Sequence, residues 1–253
     1  MSRVGSMMGI LSYPAAPTVF VNCVLWLDAA DAATMFSDST GLTAVVNNDS
    51  VQNWNDKSGQ NNHAIAVPSG SSQTYQVGLV NGHSVIRSLG TPGLAMQLTG
   101  NTKPLKNCTE FTMVTVLNAS NVSNTFAPFF ARGANDVSWM VENGVTWEFL
   151  GCRVRTNVNP SVASYGLCIY HIVGSQATNT TTIYINNKAK ATATFSNDSM
   201  TLWDNTIGWY PGYKSFIGTL CELIVFNKAL TDSTNPPING LLQGLADKWG
   251  VTL

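Results

Sequence analysis

Hydrolysis of glycosidic bonds is the first chemistry to consider for this chain, because it requires only two carboxyl groups about 5–10 Å apart. The sequence has four glutamates: Glu110, Glu142, Glu148 and Glu222. A catalytic strand in a β fold would carry two acidic residues at positions i and i+2, and no predicted strand of this chain does so. We expect Glu222, in the run TLCELIVF, to be a surface carboxylate or a buried and paired one.

Glu142 and Glu148 lie on either side of Asn143-Gly144, the strongest short signal for a tight hairpin. A two-residue turn would pair Glu142 with Val145 and Glu148 with Trp139. Because side chains alternate between the two faces of a sheet, the two carboxylates would then point to opposite sides. The hairpin therefore predicts that these residues form no catalytic pair.

The chain also lacks the patterns of nucleophilic catalysis. Its three histidines, His63, His83 and His171, are scattered, and no G-x-S-x-G sequence occurs. Cys168 lies three residues before His171, so on a shared strand their side chains face opposite sides. We expect His171, in the run CIYHIVG, to be a satisfied histidine of the core or of a sheet. The sequence predicts a protein that is not an enzyme.

Three aspartates, Asp28, Asp31 and Asp56, are candidates for a calcium site at a rim of the fold, where carboxylates and backbone carbonyls bind Ca²⁺. Turn chemistry explains the same residues without a metal. Asp28 and Asp31 would then cap the turn that leaves the first strand, and Asp56 would form an Asx-turn ahead of Gly59. We favour the turns, and predict neither a metal site nor a cofactor.

The segment LWDNTIGWYPGYKSF is the best candidate for a ligand site, because it concentrates Trp203, Trp209, Tyr210 and Tyr213 around the Pro211-Gly212 turn. Aromatic faces beside Asn and Asp side chains suit a sugar, whose C–H groups stack on rings while amides bind hydroxyls. We predict that Trp209, Tyr210 and Tyr213 bind a glycan. The alternative is that the tryptophans belong to the core and that the tyrosines pack against a neighbouring subunit.

Composition narrows the class of protein. Of 253 residues, 11% are charged and 73 are Asn, Thr or Ser, so uncharged polar groups must solvate most of the surface. The net charge of −1 excludes a basic surface for nucleic acid. A hydrophobic content of 44% is too high for a disordered chain, and no apolar run reaches the length of a membrane span. Cys23, Cys168 and Cys221 lie in apolar runs, which predicts buried free thiols.

The elements that must position these residues are short β-segments separated by turns. Asn143-Gly144 and Asn186-Asn187 predict tight hairpins, because both dipeptides tolerate positive φ. The predicted strands are 19–28, 52–56, 63–67, 83–88, 111–117, 126–131, 137–142, 145–150, 167–174, 181–185, 189–195 and 216–226. Turns about every ten residues, with alternating apolar positions, favour an all-β, antiparallel two-sheet sandwich or jelly roll.

One helix is predicted near the C-terminus. Pro236-Pro237 fits its first turn, and Gly250 is placed to end it. Apolar residues at three- and four-residue steps form one stripe: Ile238, Leu241, Leu242, Leu245, Ala246 and Trp249. We expect this stripe to lie on the sandwich and to cover an open sheet edge or end.

Several segments together resemble a known family. In chain order they are LWLDAADA (25–32), WNDKSGQNNHA (54–64), IYIN (183–186), TIGW (206–209), FIGTLCELIVFNKALTD (216–232) and GLLQGLADKWG (240–250). They resemble the laminin-G-like, concanavalin-A-like jelly-roll domains of bacterial surface proteins and of phage and virus particles. The resemblance implies a two-sheet sandwich whose first and last strands pair. It fixes no ligand, because such folds host lectins, hydrolases and structural modules.

With the composition, this resemblance leads to a non-enzymatic virion structural protein, such as a capsid decoration, fibre or tail-associated protein, that binds host-surface glycans. The alternative is a secreted or cell-surface carbohydrate-binding module. We predict two parts: an N-terminal arm at 1–18, and a laminin-G-like sandwich at 19–253. The arm holds Met7, Met8 and Ile10, and is expected to bind other virion proteins or to make the chain a homo-oligomer.

Overall fold

The computed structural model describes residues 20–67, 73–88, 94–99, 104–105, 108–119, 127–131, 138–142, 146–149, 154–157, 166–194, 206–207, 216–234 and 236–253. The predicted arm at 1–18 and the aromatic segment at 208–215 lie outside them. Strands are numbered in chain order. Within the described residues, no helix has the length and apolar character needed to cross a bilayer.

Two antiparallel sheets form the protein. Sheet A contains β1 (Cys23–Asp28), β5 (Thr74–Val80), β6 (His83–Ser88), β8 (Glu110–Ala119), β13 (Leu167–Ser175), β14 (Thr180–Ile185), β15 (Lys188–Thr194) and β17 (Gly218–Phe226). Its order is β15-β14-β13-β8-β17-β6-β5, and β1 also pairs with β17. The registers Cys23↔Phe226 and Asp28↔Glu222 confirm that the first and last strands pair.

Sheet B contains β2 (Met35–Phe36), β3 (Asn53–Trp54), β4 (Ala64–Ala66), β7 (Met96–Leu98), β9 (Ala127–Ala131), β10 (Ser138–Glu142), β11 (Thr146–Phe149), β12 (Val154–Asn157) and β16 (Thr206–Ile207). Its order is β12-β11-β10-β9-β16-β7-β4-β3-β2. A large apolar core joins both sheets and includes Trp54, Phe111, Tyr170 and Phe216. The two-sheet β-sandwich predicted from the sequence is thereby confirmed.

The single α-helix of the described residues, α1 (Ile238–Trp249), is where the sequence placed it. It starts after Pro237 and ends at Gly250, whose φ of 71° a side chain would strain. Its apolar stripe packs on the outer face of sheet A, the face turned away from sheet B, against Trp26, Ile169 and Ile224. Its packing on the sandwich is thereby confirmed, and the expected covering of an open sheet edge or end stays a prediction.

The two predicted hairpins differ in outcome. Ile185 pairs with Lys188, so Asn186 and Asn187 form the expected two-residue turn, with φ of 46° and 59°. At the other hairpin Glu142 pairs with Thr146, so the loop has three residues instead of two. The register predicted there is wrong by one residue. Positions 142 and 148 therefore belong to the same face of the sheet, and register gives no argument against a carboxylate pair.

Cys23 and Cys221 are buried free thiols and Cys168 is buried as well, as their apolar surroundings predict. Burial raises the pKa of the Cys23 and Cys221 thiols well above the usual value, which keeps both protonated and unreactive.

Candidate functional site

The predicted glycan-binding residues Trp209, Tyr210 and Tyr213 lie outside the described residues, so their role stays a prediction. Their described neighbours are Ile207, which is buried in β16 of sheet B, and Phe216, which is buried next to β17 of sheet A. The described part of the chain offers two other polar regions, both on the outer face of sheet A.

The first region is a buried ion cluster, which we define as Asp28, Asp31, Lys57, Glu222 and Lys248. It unites four of the six sequence segments that carry the family resemblance. Glu222 is 1% exposed. Its Oε1 accepts a hydrogen bond from Trp26 Nε1 at 2.8 Å, and its Oε2 accepts from Lys248 Nζ at 2.7 Å and Trp249 Nε1 at 2.8 Å. Three N–H donors thus surround one carboxylate, as an ionised group requires.

The two lysines extend the ion cluster to the aspartates. Lys248 Nζ lies 2.7 Å from Asp28 Oδ1, and Lys57 Nζ lies 2.9 Å from Asp28 Oδ2 and 2.8 Å from Asp31 Oδ2. Burial acts to raise the pKa of Asp28, but Lys248 and Lys57 outweigh it and hold that pKa below the usual value. Burial raises the pKa of Glu222, as does the Asp28 carboxylate, while Lys248 opposes both.

Asp56 serves a turn, as predicted, and also anchors β1. Its Oδ1 accepts from the backbone N–H of Ser58 and of Trp26, both at 2.8 Å. Its Oδ2 accepts from Ser58 Oγ and from the backbone of Asn62. Asp28 accepts from the backbone N–H of Ala30, which confirms its turn role. The side chain of Asp31 makes no such bond and pairs with Lys57 instead, so the cap predicted for it is wrong.

These contacts leave the two most buried carboxylates of the ion cluster without a free oxygen for a ligand. Indole and ammonium groups occupy the oxygens of Glu222 and Asp28. Among the described residues, no group of three or more His, Cys, Asp or Glu side chains is arranged to hold a metal ion. The ion cluster therefore joins β1, β17 and α1, and its chemistry is structural.

The second region is an open groove of about 400 Å³, within the range of small-molecule sites. It lies between the outer face of β13 and β14 and the chain that leads from β17 to α1. Most of its polar atoms are hydroxyls. The lining residues are Glu110, Val173, Ser175, Thr178, Thr180, Thr182, Tyr184, Lys228, Ala229, Thr231 and Thr234.

Alternation along the strands explains how the groove is built. Tyr170 and Ile172 face the core between the sheets, so Val173 and Ser175 face outward. On β14, Ile183 and Ile185 face the core, which turns Thr180, Thr182 and Tyr184 outward. The three levels Ser175–Thr180, Val173–Thr182 and His171–Tyr184 are cross-strand pairs. At about 3.4 Å per residue they span roughly 14 Å.

One end of the groove is an aromatic platform. The Tyr184 ring stacks on the His171 ring with centroids 4.3 Å apart and planes 4° apart. On its other side Tyr184 pairs with Ala189, which is exposed and too small to cover a phenol ring. His171 is buried in the sheet as predicted, but its Nδ1 has no hydrogen-bond partner, so it is not satisfied. Burial lowers the pKa of His171 to about 3, which keeps the ring neutral.

The other end of the groove holds an ion pair between Lys228 Nζ and Glu110 Oε1. Glu110 Oε2 accepts from the backbone N–H of Ala229. The Thr112 hydroxyl fixes the same loop, donating to Lys228 O at 2.9 Å and accepting from Leu230 N at 2.8 Å. Sequence reasoning missed this groove. The available signal was threonine at every second position, 178, 180 and 182, which places hydroxyls on one strand face.

Comparison with known proteins shows which fold this chain has. No protein-family model and no curated protein matches the chain. Among solved structures, the binding domain of Paraclostridial Mosquitocidal Protein 1 aligns with a TM-score of 0.59 and 14% identity, over 91% of this chain and 55% of that one. The botulinum neurotoxin serotype D binding domain aligns with a TM-score of 0.56 and 13% identity, over 92% and 54%.

The botulinum neurotoxin serotype D/C VPI 5993 binding domain is a third similar structure, with a TM-score of 0.57 and 16% identity over 92% of this chain and 56% of that one. The chain thus spans about half the length of these solved structures. At such identities the likeness concerns the fold alone, and it establishes this chain as a β-sandwich of the kind that these binding domains contain.

Proposed function

We propose that this chain is a non-enzymatic recognition module that binds a glycan in the open groove of sheet A. The observation that carries the proposal is the combination in one groove of the Tyr184 platform with hydroxyls from both flanking segments. A ring stacks against the C–H face of a sugar, and threonine hydroxyls both donate to and accept from sugar hydroxyls. The similar structures are binding domains, which supports a binding role.

Binding at one such groove is weak, because a single stacking contact contributes only about 1 kcal/mol. Many copies acting together would supply the avidity. The test is therefore a glycan array probed with a multimerised protein. Tyr184→Ala should weaken binding about fivefold or more while circular dichroism stays unchanged. Unchanged binding by this variant would contradict the groove as the site.

The predicted aromatic residues Trp209, Tyr210 and Tyr213 provide the competing location for the same function. The double variant Tyr210→Ala/Tyr213→Ala is the matched control for Tyr184→Ala on the same array. Loss of binding in the double variant alone would move the site to that segment. Loss of assembly with binding retained would show that the tyrosines form a subunit contact.

We further propose that the module belongs to a virus particle, as a capsid decoration, fibre or tail-associated protein. The family resemblance and the low-charge composition rich in Asn, Thr and Ser support this context. The alternative is a secreted or cell-surface carbohydrate-binding module. Mass spectrometry of purified particles separates the two: peptides of this chain at stoichiometric abundance support the virion, and their absence supports the alternative.

The apolar arm at 1–18 is proposed to attach the module to other virion proteins or to further copies of itself. Deleting residues 1–18 should leave the melting temperature within a few degrees while abolishing incorporation or oligomerisation, because the apolar arm gains most by burial against a partner. Light scattering and thermal unfolding of both forms measure this. Unfolding of the truncated chain would mean that the arm belongs to the core.

A further inference from the structure

The groove of sheet A also indicates which class of glycan it accepts, an inference that rests on the proposed function. Among the described residues that line the groove, Glu110 and Lys228 are the only charged side chains, and they form an ion pair with each other. The groove thus contains one acid and one base whose charges cancel.

Each member of that pair already has an oppositely charged partner, so an ionic ligand would have to compete with that partner. Glu110 binds Lys228 through Oε1 and the backbone N–H of Ala229 through Oε2, so both carboxylate oxygens are engaged. The Lys228 backbone oxygen is in turn held by Thr112, which fixes the loop that carries the ammonium. A carboxylated ligand would have to take Lys228 from Glu110, and would leave two carboxylates next to each other.

Among the described residues, the rest of the groove lining supplies no replacement cation. His171, behind the Tyr184 platform, is neutral at physiological pH because burial lowers its pKa to about 3. Close to the groove, Asp232 carries a negative charge, and its carboxylate binds the backbone and side chain of Asn239. Every other polar side chain of the lining is a hydroxyl.

We propose that the groove selects uncharged, hydroxyl-rich sugars and discriminates against sugars that carry a carboxylate, such as terminal sialic acid. In this arrangement the Glu110–Lys228 pair offers a fixed acceptor next to a fixed donor, which suits neighbouring hydroxyls of a neutral ring. In addition, the Glu110 carboxylate repels a sugar that carries a carboxylate.

The test measures the affinity of the full chain for one neutral oligosaccharide and for the same oligosaccharide with a terminal sialic acid, by titration calorimetry. The wild type should prefer the neutral member by about threefold or more, the scale of a partly exposed ion pair. Glu110→Gln keeps the shape and frees the Lys228 ammonium, so it should raise relative affinity for the sialylated member by about threefold. Lys228→Gln is the matched control and should keep the neutral preference.

The possible failures are distinguishable with Tyr184→Ala. A wild type that prefers the sialylated member and loses that binding in Tyr184→Ala overturns the charge inference but keeps the groove as the glycan site. Binding of either sugar that Tyr184→Ala does not weaken overturns the groove and, with it, this inference. An unchanged preference in Glu110→Gln would show that the ion pair does not set selectivity.

Discussion

Two charged regions share the outer face of sheet A, and they differ in what covers them. In the buried ion cluster, helix α1 lies over the sheet, Glu222 is 1% exposed, and two indoles complete the hydrogen bonds of its carboxylate. In the groove, the side chains of Lys228 and Glu110 remain 43% and 28% exposed, and no helix of the described part of the chain lies above them. The same residue types thus join elements in one region and stay accessible in the other.

Strand β13 runs from the region beneath α1 to the open groove. Ile169 is fully buried beneath α1, and His171, two residues on, is 2% exposed. Val173 and Ser175 come next on the same face, and both line the groove. A buried charge is costly unless it is paired and fully hydrogen-bonded, so the covered end requires complete satisfaction whereas the open end can leave polar groups to water.

The largest expected effect is on the buried ion cluster. Glu222→Gln should lower the free energy of unfolding by about 3–5 kcal/mol, because the new amide N–H groups would face the donors of Trp249 and Lys248. Urea denaturation measures it. The same substitution at Glu110 is the control and should cost no more than about 1 kcal/mol, since its ion pair is partly exposed. Equal losses of unfolding free energy in the two variants would show that the covered and the open region do not differ in this way.

The second largest expected effect is a pH dependence of stability caused by His171, which lies on β13 between the ion cluster and the groove. Its pKa is about 3 in the folded protein and about 6.5 when unfolded, so between these values the unfolded chain binds more protons. The contribution of neutral His171 to the free energy of unfolding is therefore complete above about pH 6.5, and it is lost as the pH falls below that value. The loss from pH 7 to pH 5 should be about 2 kcal/mol. His171→Phe keeps a ring against Tyr184 and should remove this part of the pH dependence; an identical dependence in both proteins would contradict the assignment.

A smaller loss of stability is expected when the contact that holds α1 over the ion cluster is changed. The Asn81 side-chain amide donates to the carbonyl oxygens of Lys248 at 2.9 Å and Asp247 at 3.3 Å, and so caps the C-terminal end of the helix. Asn81→Asp places a carboxylate against these carbonyls and should cost about 1–2 kcal/mol. Asn179→Asp, in an exposed turn with φ of 53°, is the control and should change stability by less than about 0.5 kcal/mol.

The elements that the sequence predicted well are those whose local chemistry agrees with their surroundings. His83–Ser88 was predicted with the bounds that β6 has, and the helix was placed by Pro237, its stripe and Gly250. β5 (Thr74–Val80) was missed because Gly78 interrupts it and its last residues are exposed at an edge, where alternation is weak. The two residues of β2 are too short to give any periodic signal.

Of the candidate sites, turn chemistry was predictable and long-range pairing was not. The Asx-turn of Asp56 depends on Ser58, two residues away, so the sequence alone determined it. The loop length after Glu142 was misjudged, because a turn signal fixes the presence of a hairpin more firmly than its register. Glu222 was expected to be either exposed or buried and paired, and only its position under α1 selected the second.

The sequence by itself determined the alternation of short strands, the two-residue turn at Asn186-Asn187 and the amphipathic helix, because each depends on neighbours within a few residues. The tertiary structure decided which outward-facing polar residues are covered by another element and which are exposed to solvent. The donors to Glu222 come from Trp26, 196 residues away, and from Trp249 at the far end of α1. They meet only once β1 pairs with β17 and α1 docks, whereas the groove is lined by the chain that precedes α1 and stays open.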